Sequence, residues 1–182
     1  MHMGQGRIVI ITGCPGTGKT TAASIAAKTS DLEKSVHMHT DDFYHYLSKG
    51  ALSPHLPESQ EQNLVVIEAL LEAAKCYARG GYDVIVDGII GPWFLKPWRK
   101  AAQNHYVVHY IVLRANRQET MKRAVGRSKL GRETNIEIVE AMWEQFCDLG
   151  CYEHHVIDTT NCSIEETVAM IKQKIREKRC LL

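Results

Sequence analysis

The sequence predicts an α/β protein, a three-layer α/β/α sandwich around a five-stranded parallel sheet. Three observations carry that reading. Short apolar runs alternate with helix-period segments along the whole chain. The strongest runs, Ile8–Ile11 and Val84–Val86, are continuously apolar, as strands covered on both faces are. The first run leads straight into a glycine-rich loop that opens an alanine-rich segment, Gly13-Cys14-Pro15-Gly16-Thr17-Gly18-Lys19-Thr20. With 182 residues, 45% of them hydrophobic, the chain has enough apolar mass for one full core and is expected to be a single domain over 1–182.

The elements follow in order. Arg7–Thr12 reads as the first strand and about Lys19–Thr29 as the first helix. Val36–Thr40 reads as a short second strand ending in Asp41-Asp42-Phe43-Tyr44. His45–Glu58, holding Gly50, Pro54 and Pro57, reads mostly as loop. Gln60–Arg79 is the clearest helix, with Leu64, Ile67, Leu70, Leu71, Ala74 and Tyr77 at helical spacing, and Gly80-Gly81 ends it. Tyr82–Asp87 is the third strand. Trp93–Asn104 is the next helix, with Pro97 marking an irregularity, and Tyr106–Leu113 is the fourth strand. Arg117–Ser128 is a basic helix, and Lys129–Arg132 a flexible tip. Thr134 and Glu137 form a capping box for a helix whose core face is Val139, Met142, Trp143 and Phe146. Val156–Asp158 centres the fifth strand. Ser163 and Glu166 cap a last helix with Ile164, Val168, Ile171 and Ile175 inward, and the charged tail after Lys172 reads as a solvated helix end.

The glycine-rich loop matches G-x-x-x-x-G-K-[ST] without a mismatch. Glycines at 13, 16 and 18 let the backbone curl so that successive N–H groups aim at phosphate oxygens, and the helix N-terminus adds partial positive charge. Residues Gly13 to Thr21 are the expected nucleotide-binding set. Lys19 reaches the outer phosphates, and the Thr20 hydroxyl is a ligand for Mg²⁺. A dinucleotide-binding G-x-G-x-x-G fits less well, because Gly16-Thr17-Gly18 is followed by Thr21 where a glycine is needed.

In parallel sheets ligands collect at the carboxyl ends of the strands. Asp41 and Asp42 follow the second strand and Asp87 ends the third. A carboxylate facing the terminal phosphate can take the proton of an attacking hydroxyl. Asp41 is the expected base, and Asp42 an acceptor-binding residue. Asp87 has the placement of an acid that holds Mg²⁺ through water or binds acceptor hydroxyls. Trp93, in Gly91-Pro92-Trp93, is expected to line the acceptor pocket, with core packing as the alternative. Arg114, Arg117, Arg123, Arg127 and Arg132 read as a lid spanning about 115–135. Arg127 is expected to close over the transferred group, and Arg123 to lie along adenine or ribose. Cys14, inside the loop, suggests that a thiol alkylator slows nucleotide binding.

Other readings are weaker. The formal net charge of +1 gives no reason for an obligate nucleic-acid partner, and no apolar run reaches membrane-spanning length. The six cysteines show no C-x-x-C pair, and buried free thiols are favoured over zinc at Cys147, Cys151, His154 and His155. A cytoplasmic location is the default expectation.

The segments GCPGTGKTT, HTDDFY, VIVDG, the arginine helix and VIDTTNCSIEET together resemble the small P-loop kinases. These comprise gluconate, shikimate and nucleoside kinases and especially the chloramphenicol phosphotransferase-like group. The resemblance implies a P-loop NTPase fold with a short lid, ATP and Mg²⁺ as cofactors, Asp41 as the base, and Thr159–Asn161 near the adenine. The expected activity is transfer of the γ-phosphate of ATP to a hydroxyl of a small molecule. A kinase of a nucleotide or polynucleotide end, and a nucleotide-binding regulatory ATPase, are the rivals. No N-K-x-D guanine motif is present.

Overall fold

A computed structural model describes residues 6–126 and 132–182, with side chains described outside 132–135. Five strands form one parallel sheet: β1 (Arg7–Thr12), β2 (Ser35–His39), β3 (Asp83–Gly88), β4 (Val107–Arg114) and β5 (Val156–Asp158), in the order β2-β3-β1-β4-β5. The helices are α1 (Lys19–Lys28), α2 (Thr40–His45), α3 (Gln60–Arg79), α4 (Leu95–Gln103), α5 (Arg117–Val125), α6 (Arg132–Cys147) and α7 (Ile164–Arg176). The predicted α/β class, the five parallel strands and the flanking helix layers are all present.

Period-two alternation divides the core. On one face Ile8, Ile10, Val84, Val86, Val108, Tyr110 and Val112 pack against α3, α4 and α6. On the other, Val9, Ile11, Ile85, Ile111 and Leu113 pack against the alanines of α1 and the apolar stripe of α7. Small side chains at Ala22, Ala23, Ala26 and Ala27 let α1 lie close to the sheet. The glycine-rich loop is therefore held from behind by β1 and from beside by α1.

Several expectations are corrected. The Asp41-Asp42-Phe43-Tyr44 segment, read as the end of the second strand, forms the short helix α2, entered directly from β2 at Thr40. The buried seam of α3 runs through Asn63, Val66, Ile67, Leu70, Leu71, Ala74 and Ala78, leaving Leu64 and Tyr77 exposed. Pro97 sits in the first turn of α4, where a missing N–H costs no helix bond, so it causes no break. Helix α6 begins at Arg132, before the predicted cap Thr134. The charged end of α7 is exposed through Arg179, as expected, but the chain then returns to the sheet. Tyr110 N–H donates to the Cys180 carbonyl at 2.7 Å, Leu182 N–H donates to the Val108 carbonyl at 3.0 Å, and Cys180 is fully buried.

Two buried imidazoles tie this edge of the sheet. His109 Nδ1 lies 3.4 Å from Cys180 Sγ, and His155 Nδ1 donates to the Tyr110 carbonyl at 2.8 Å. Burial, aided by the charge of Arg7, lowers His109 to about 4. Burial likewise lowers His155 to about 4, against the opposing pull of its bond to Tyr110. Both are thus neutral in the folded chain below the ordinary histidine value of 6.5, where the unfolded chain is protonated. Stability should therefore fall as the pH drops from about 6.5 towards about 4. Urea midpoints measured across that range should decline, and His155→Asn, which keeps a donor for the Tyr110 carbonyl, should flatten the decline. A flat wild-type profile would contradict the buried-neutral assignment.

Candidate active site

The loop has the conformation its glycines permit. Gly13, Gly16 and Gly18 have φ of 145°, 89° and 82°, all in the region that favours glycine. A Cβ at Gly13 would lie 2.2 Å from the Leu113 carbonyl oxygen. Gly18 caps α1, and Thr17 Oγ1 donates to the Cys14 carbonyl at 3.0 Å, closing the curl. Lys19 is buried, its Nζ 3.5 Å from the Cys14 carbonyl, so its charge stays at the loop. Cys14 has no exposed surface, and burial raises its thiol pKa against the pull of Lys19. Both effects oppose thiolate chemistry, which corrects the expectation of an alkylation-sensitive Cys14.

On one side of the loop, an open cavity of about 410 Å³ is lined by Gly16, Thr17, Gly18, Arg123, Gly126, Cys162, Ile164 and Thr167. Arg123 is held there by Glu119 Oε1 at 2.7 Å and by the carbonyls of Thr159 and Thr160 at 3.1 and 3.2 Å. Arg123 thus meets the segment singled out near adenine through two of its carbonyls, although of these residues Arg123 alone lines the cavity. The other arginines divide. Arg114 donates to Glu153 with both terminal nitrogens and to the carbonyls of Phe146 and Cys147, and Arg117 pairs with Glu140. Both are engaged with groups of the protein itself. Arg127, and the tip at 129–131, lie outside the described residues.

On the other side, the strand ends converge. The parallel register sets Ile11 beside Asp87, Thr12 beside Gly88 and His39 beside Asp87. Asp87 is fully buried. Its Oδ1 accepts from His37 Nε2 at 2.7 Å, and His39 Nδ1 lies 3.3 Å from its carbonyl oxygen and 3.5 Å from Oδ1. Burial pushes the Asp87 carboxyl up, but the hydrogen bond from His37, the nearby Thr20 hydroxyl and the histidine charges outweigh it and hold it below the usual range. Gly88 has φ of 149°, and a Cβ there would fall 1.8 Å from Thr40 Oγ1. The bare glycine therefore lets the first residue of α2 sit directly over the end of β3. The following loop is pinned as well: Ile90 N–H donates to Thr12 Oγ1 at 2.9 Å, and the Tyr110 hydroxyl to the Ile90 carbonyl at 3.0 Å.

Asp41, in the first turn of α2, has an exposed side chain with Oδ2 3.5 Å from His39 Nε2. It lines an open cavity of about 420 Å³ with Tyr44, His45, Leu47, Ala51, Leu52, Ser53 and Pro54. The far wall is anchored to α3. Gln62 exchanges two hydrogen bonds with the backbone of Leu52, and Asn63 Nδ2 donates to the Pro54 carbonyl at 2.8 Å. Burial and the charge of Asp41 push the Tyr44 hydroxyl up to about 12, so it is a neutral donor.

Three of the expected acceptor-side residues stand apart from this cavity. Asp42 is exposed but does not line it. Trp93 does not line it either and packs edge-on to Phe146 with ring centroids 5.5 Å apart. Asp87 is fully buried, with no exposed surface to offer a substrate hydroxyl.

The donor set fits magnesium. Thr20 presents an exposed hydroxyl at the start of α1, and Asp87 Oδ2 is buried with no hydrogen-bond partner among the described residues. Oxygen donors of this kind suit Mg²⁺, which keeps water and substrate phosphate as most of its ligands. Among the described residues no group of three or more His, Cys, Asp or Glu could hold a metal by itself. Sequence reading missed His37 and His39. The signal was there in His37-Met38-His39, whose alternation puts both rings on one face of a strand and Met38 on the other.

Residues 9–142 match the family described as AAA domain. A protein of Thermococcus kodakarensis described as "Putative adenylate kinase" is 30% identical over 177 residues, covering 93% of this chain and 85% of that one. Among solved structures, the Mycobacterium tuberculosis APS kinase in complex with AMPPNP and APS superposes with a TM-score of 0.71 at 18% identity, covering 94% of this chain and 98% of that chain. A sugar kinase from Janibacter sp. gives 0.64 at 18% identity, covering 94% and 93%.

The contact of Gly88 with Thr40 yields a prediction. Gly88→Ala should destabilise the chain by about 2–4 kcal/mol, through overpacking and positive-φ strain together. A thermal melt reads this as a drop in midpoint of several degrees, and an unchanged melt would refute the packing.

Proposed function

The chain belongs to the AAA domain family and has the fold of the small P-loop kinases, and on that footing we propose that it is an ATP- and Mg²⁺-dependent phosphotransferase acting on a hydroxyl of a small molecule. The observation that carries the proposal is the placement of Asp41. It stands at the end of the strand next to β3, on the wall of a cavity separate from the one beside Gly16–Gly18 and Arg123.

In this reading the backbone N–H groups of residues 13–20, Pro15 excepted, and Lys19 bind the phosphate tail and draw charge from the terminal phosphoryl group. Arg123 and the backbone of 159–161 form the nucleotide wall. Thr20, with Asp87 behind it, holds the magnesium ion, which neutralises charge on the phosphates when bound. The acceptor enters beside Asp41 and Tyr44. Its hydroxyl oxygen forms a bond to the γ-phosphorus as the bond from that phosphorus to the bridging oxygen breaks. Asp41 takes the hydroxyl proton, and ADP departs with the electron pair. Arg127 is assigned to the transferred group on the resemblance alone.

A second reading has one specific support. The Thermococcus relative is described as an adenylate kinase, whose acceptor is a phosphate. Against it, the described wall around Asp41 contains no lysine or arginine. The test measures ATP turnover against sugars, nucleosides, aminoglycosides, phenols and AMP. Turnover should rise with a hydroxyl compound lacking phosphate, and Asp41→Asn should lower it by about 10²-fold or more. Full transfer by Asp41→Asn would remove Asp41 as base, and preference for AMP would establish the second reading.

A further inference from the structure

Asp41 is a long way from self-sufficient. Its side chain is 66% exposed, and it stands in the first turn of a six-residue helix. An exposed carboxylate on so short an element has several rotamers open to it. Effective proton acceptance in a transfer reaction needs one of them, aimed at the hydroxyl beside the phosphorus. Something must select it.

The contact that does so is His39, the last residue of β2 and the residue preceding α2. Its ring is half-buried and gripped from behind, with Nδ1 against the carbonyl and carboxylate oxygens of Asp87. Asp87 is in turn fixed by His37 at 2.7 Å. The free edge of the ring, Nε2, faces Asp41 Oδ2 at 3.5 Å. A chain of four alternating groups, His37, Asp87, His39 and Asp41, thus runs from the sheet interior to the cavity wall. The imidazole also separates two carboxylates that would otherwise repel across the gap. The parallel register of β2 on β3 and the bare Gly88 under Thr40 fix the two ends of this chain.

We propose that His39 is a positioning residue for phosphoryl transfer: anchored on Asp87, it holds the Asp41 carboxylate in the rotamer that accepts the acceptor's proton. The proposal rests on the reading of Asp41 as base, and the experiment separates the two. Wild type, His39→Ala, His39→Gln, Asp41→Asn and the double variant His39→Ala/Asp41→Asn are compared. Turnover is followed with γ-labelled ATP, using water as the acceptor and then the best hydroxyl compound from the panel. His39→Ala should lower kcat by about 10- to 100-fold while leaving the KM for ATP nearly unchanged. His39→Gln, which keeps a donor towards Asp41, should recover part of the loss. In the Asp41→Asn background, removal of His39 should cost little more, because a residue acting through another has nothing left to position.

If His39→Ala and Asp41→Asn multiply in the double variant, or if His39→Ala leaves kcat intact while Asp41→Asn abolishes transfer, the positioning role is overturned and the base assignment stands. If Asp41→Asn transfers at the wild-type rate, the base assignment falls and takes this inference with it. A measurement independent of turnover decides the contact itself. The His39 ring nitrogen resonances should shift on Asp41→Asn and stay in place on Asp42→Asn; ring signals indifferent to Asp41 would end the proposal.

Discussion

The hydrogen bond between His37 and the buried carboxylate of Asp87 is the interaction on which the site depends. A carboxylate without exposed surface is costly to keep ionised unless it is paired. Asp87 lies in the middle layer of the sandwich, at the carboxyl end of β3, with His37 Nε2 at 2.7 Å as its strongest partner. That bond requires β2 to run parallel to β3 in one register. A slip of one residue would turn both histidines to the opposite face and bring Met38 to the carboxylate. Once the register is set, His39 falls beside Asp87, Thr40 falls over Gly88, and α2 must start there. The location of Asp41 is thus a consequence of how a buried charge one strand away is satisfied.

Much of this was legible in the chain and some was not, for reasons that can be named. The glycine-rich loop is a local pattern, and its curl depends on glycines whose φ values no other residue adopts readily, so sequence alone sufficed. The same holds for β1, whose continuous apolar run marks a strand covered on both faces and whose residues divide between two helix layers. The His37–Asp87–His39 cluster is different. Period two shows that the histidines share a face, but which strand lies opposite depends on the order β2-β3-β1-β4-β5, a long-range property. The α2 helix escaped notice because six residues carry too little periodicity to register. The exposed charges at the end of α7 are a local signal, while the return of the last residues to the sheet, through backbone hydrogen bonds to Val108 and Tyr110, depends on a distant strand.

The arginines show a second limit of composition. Five of them within a short stretch read as a clamp for phosphate. A guanidinium has five donors in a planar fork, however, and carbonyls and carboxylates of the protein compete for them. Arg114 spends its donors on Glu153, Phe146 and Cys147, and Arg117 on Glu140. Arg123 is intermediate. Its bonds to Glu119, Thr159 and Thr160 hold α5 to the segment after β5, and in doing so they place a cation on the wall beside Gly16 and Gly18. A structural tie and a nucleotide contact are compatible in one side chain, because a guanidinium pinned along one edge keeps its position for a ligand at the other.

The two cavities differ in sign, and that difference bears on the acceptor. The side lined by Gly16–Gly18 combines a helix N-terminus with Arg123, an arrangement suited to anions. The side lined by Asp41 offers that carboxylate, the neutral hydroxyl of Tyr44, His45 and an apolar stretch through Leu47, Ala51 and Leu52. An acceptor bearing its own phosphate would bring two negative charges next to Asp41, with Asp87 a short distance behind. Two unit charges about 4 Å apart repel by about 1 kcal/mol in water and about 4 kcal/mol at an effective dielectric near 20, and among the described residues no lysine or arginine lines this wall to offset it. A neutral or cationic hydroxyl compound meets no such barrier and finds apolar surface to cover. On the proposed reading, the described wall around Asp41 therefore suits a hydroxyl compound without phosphate better than an acceptor that carries one.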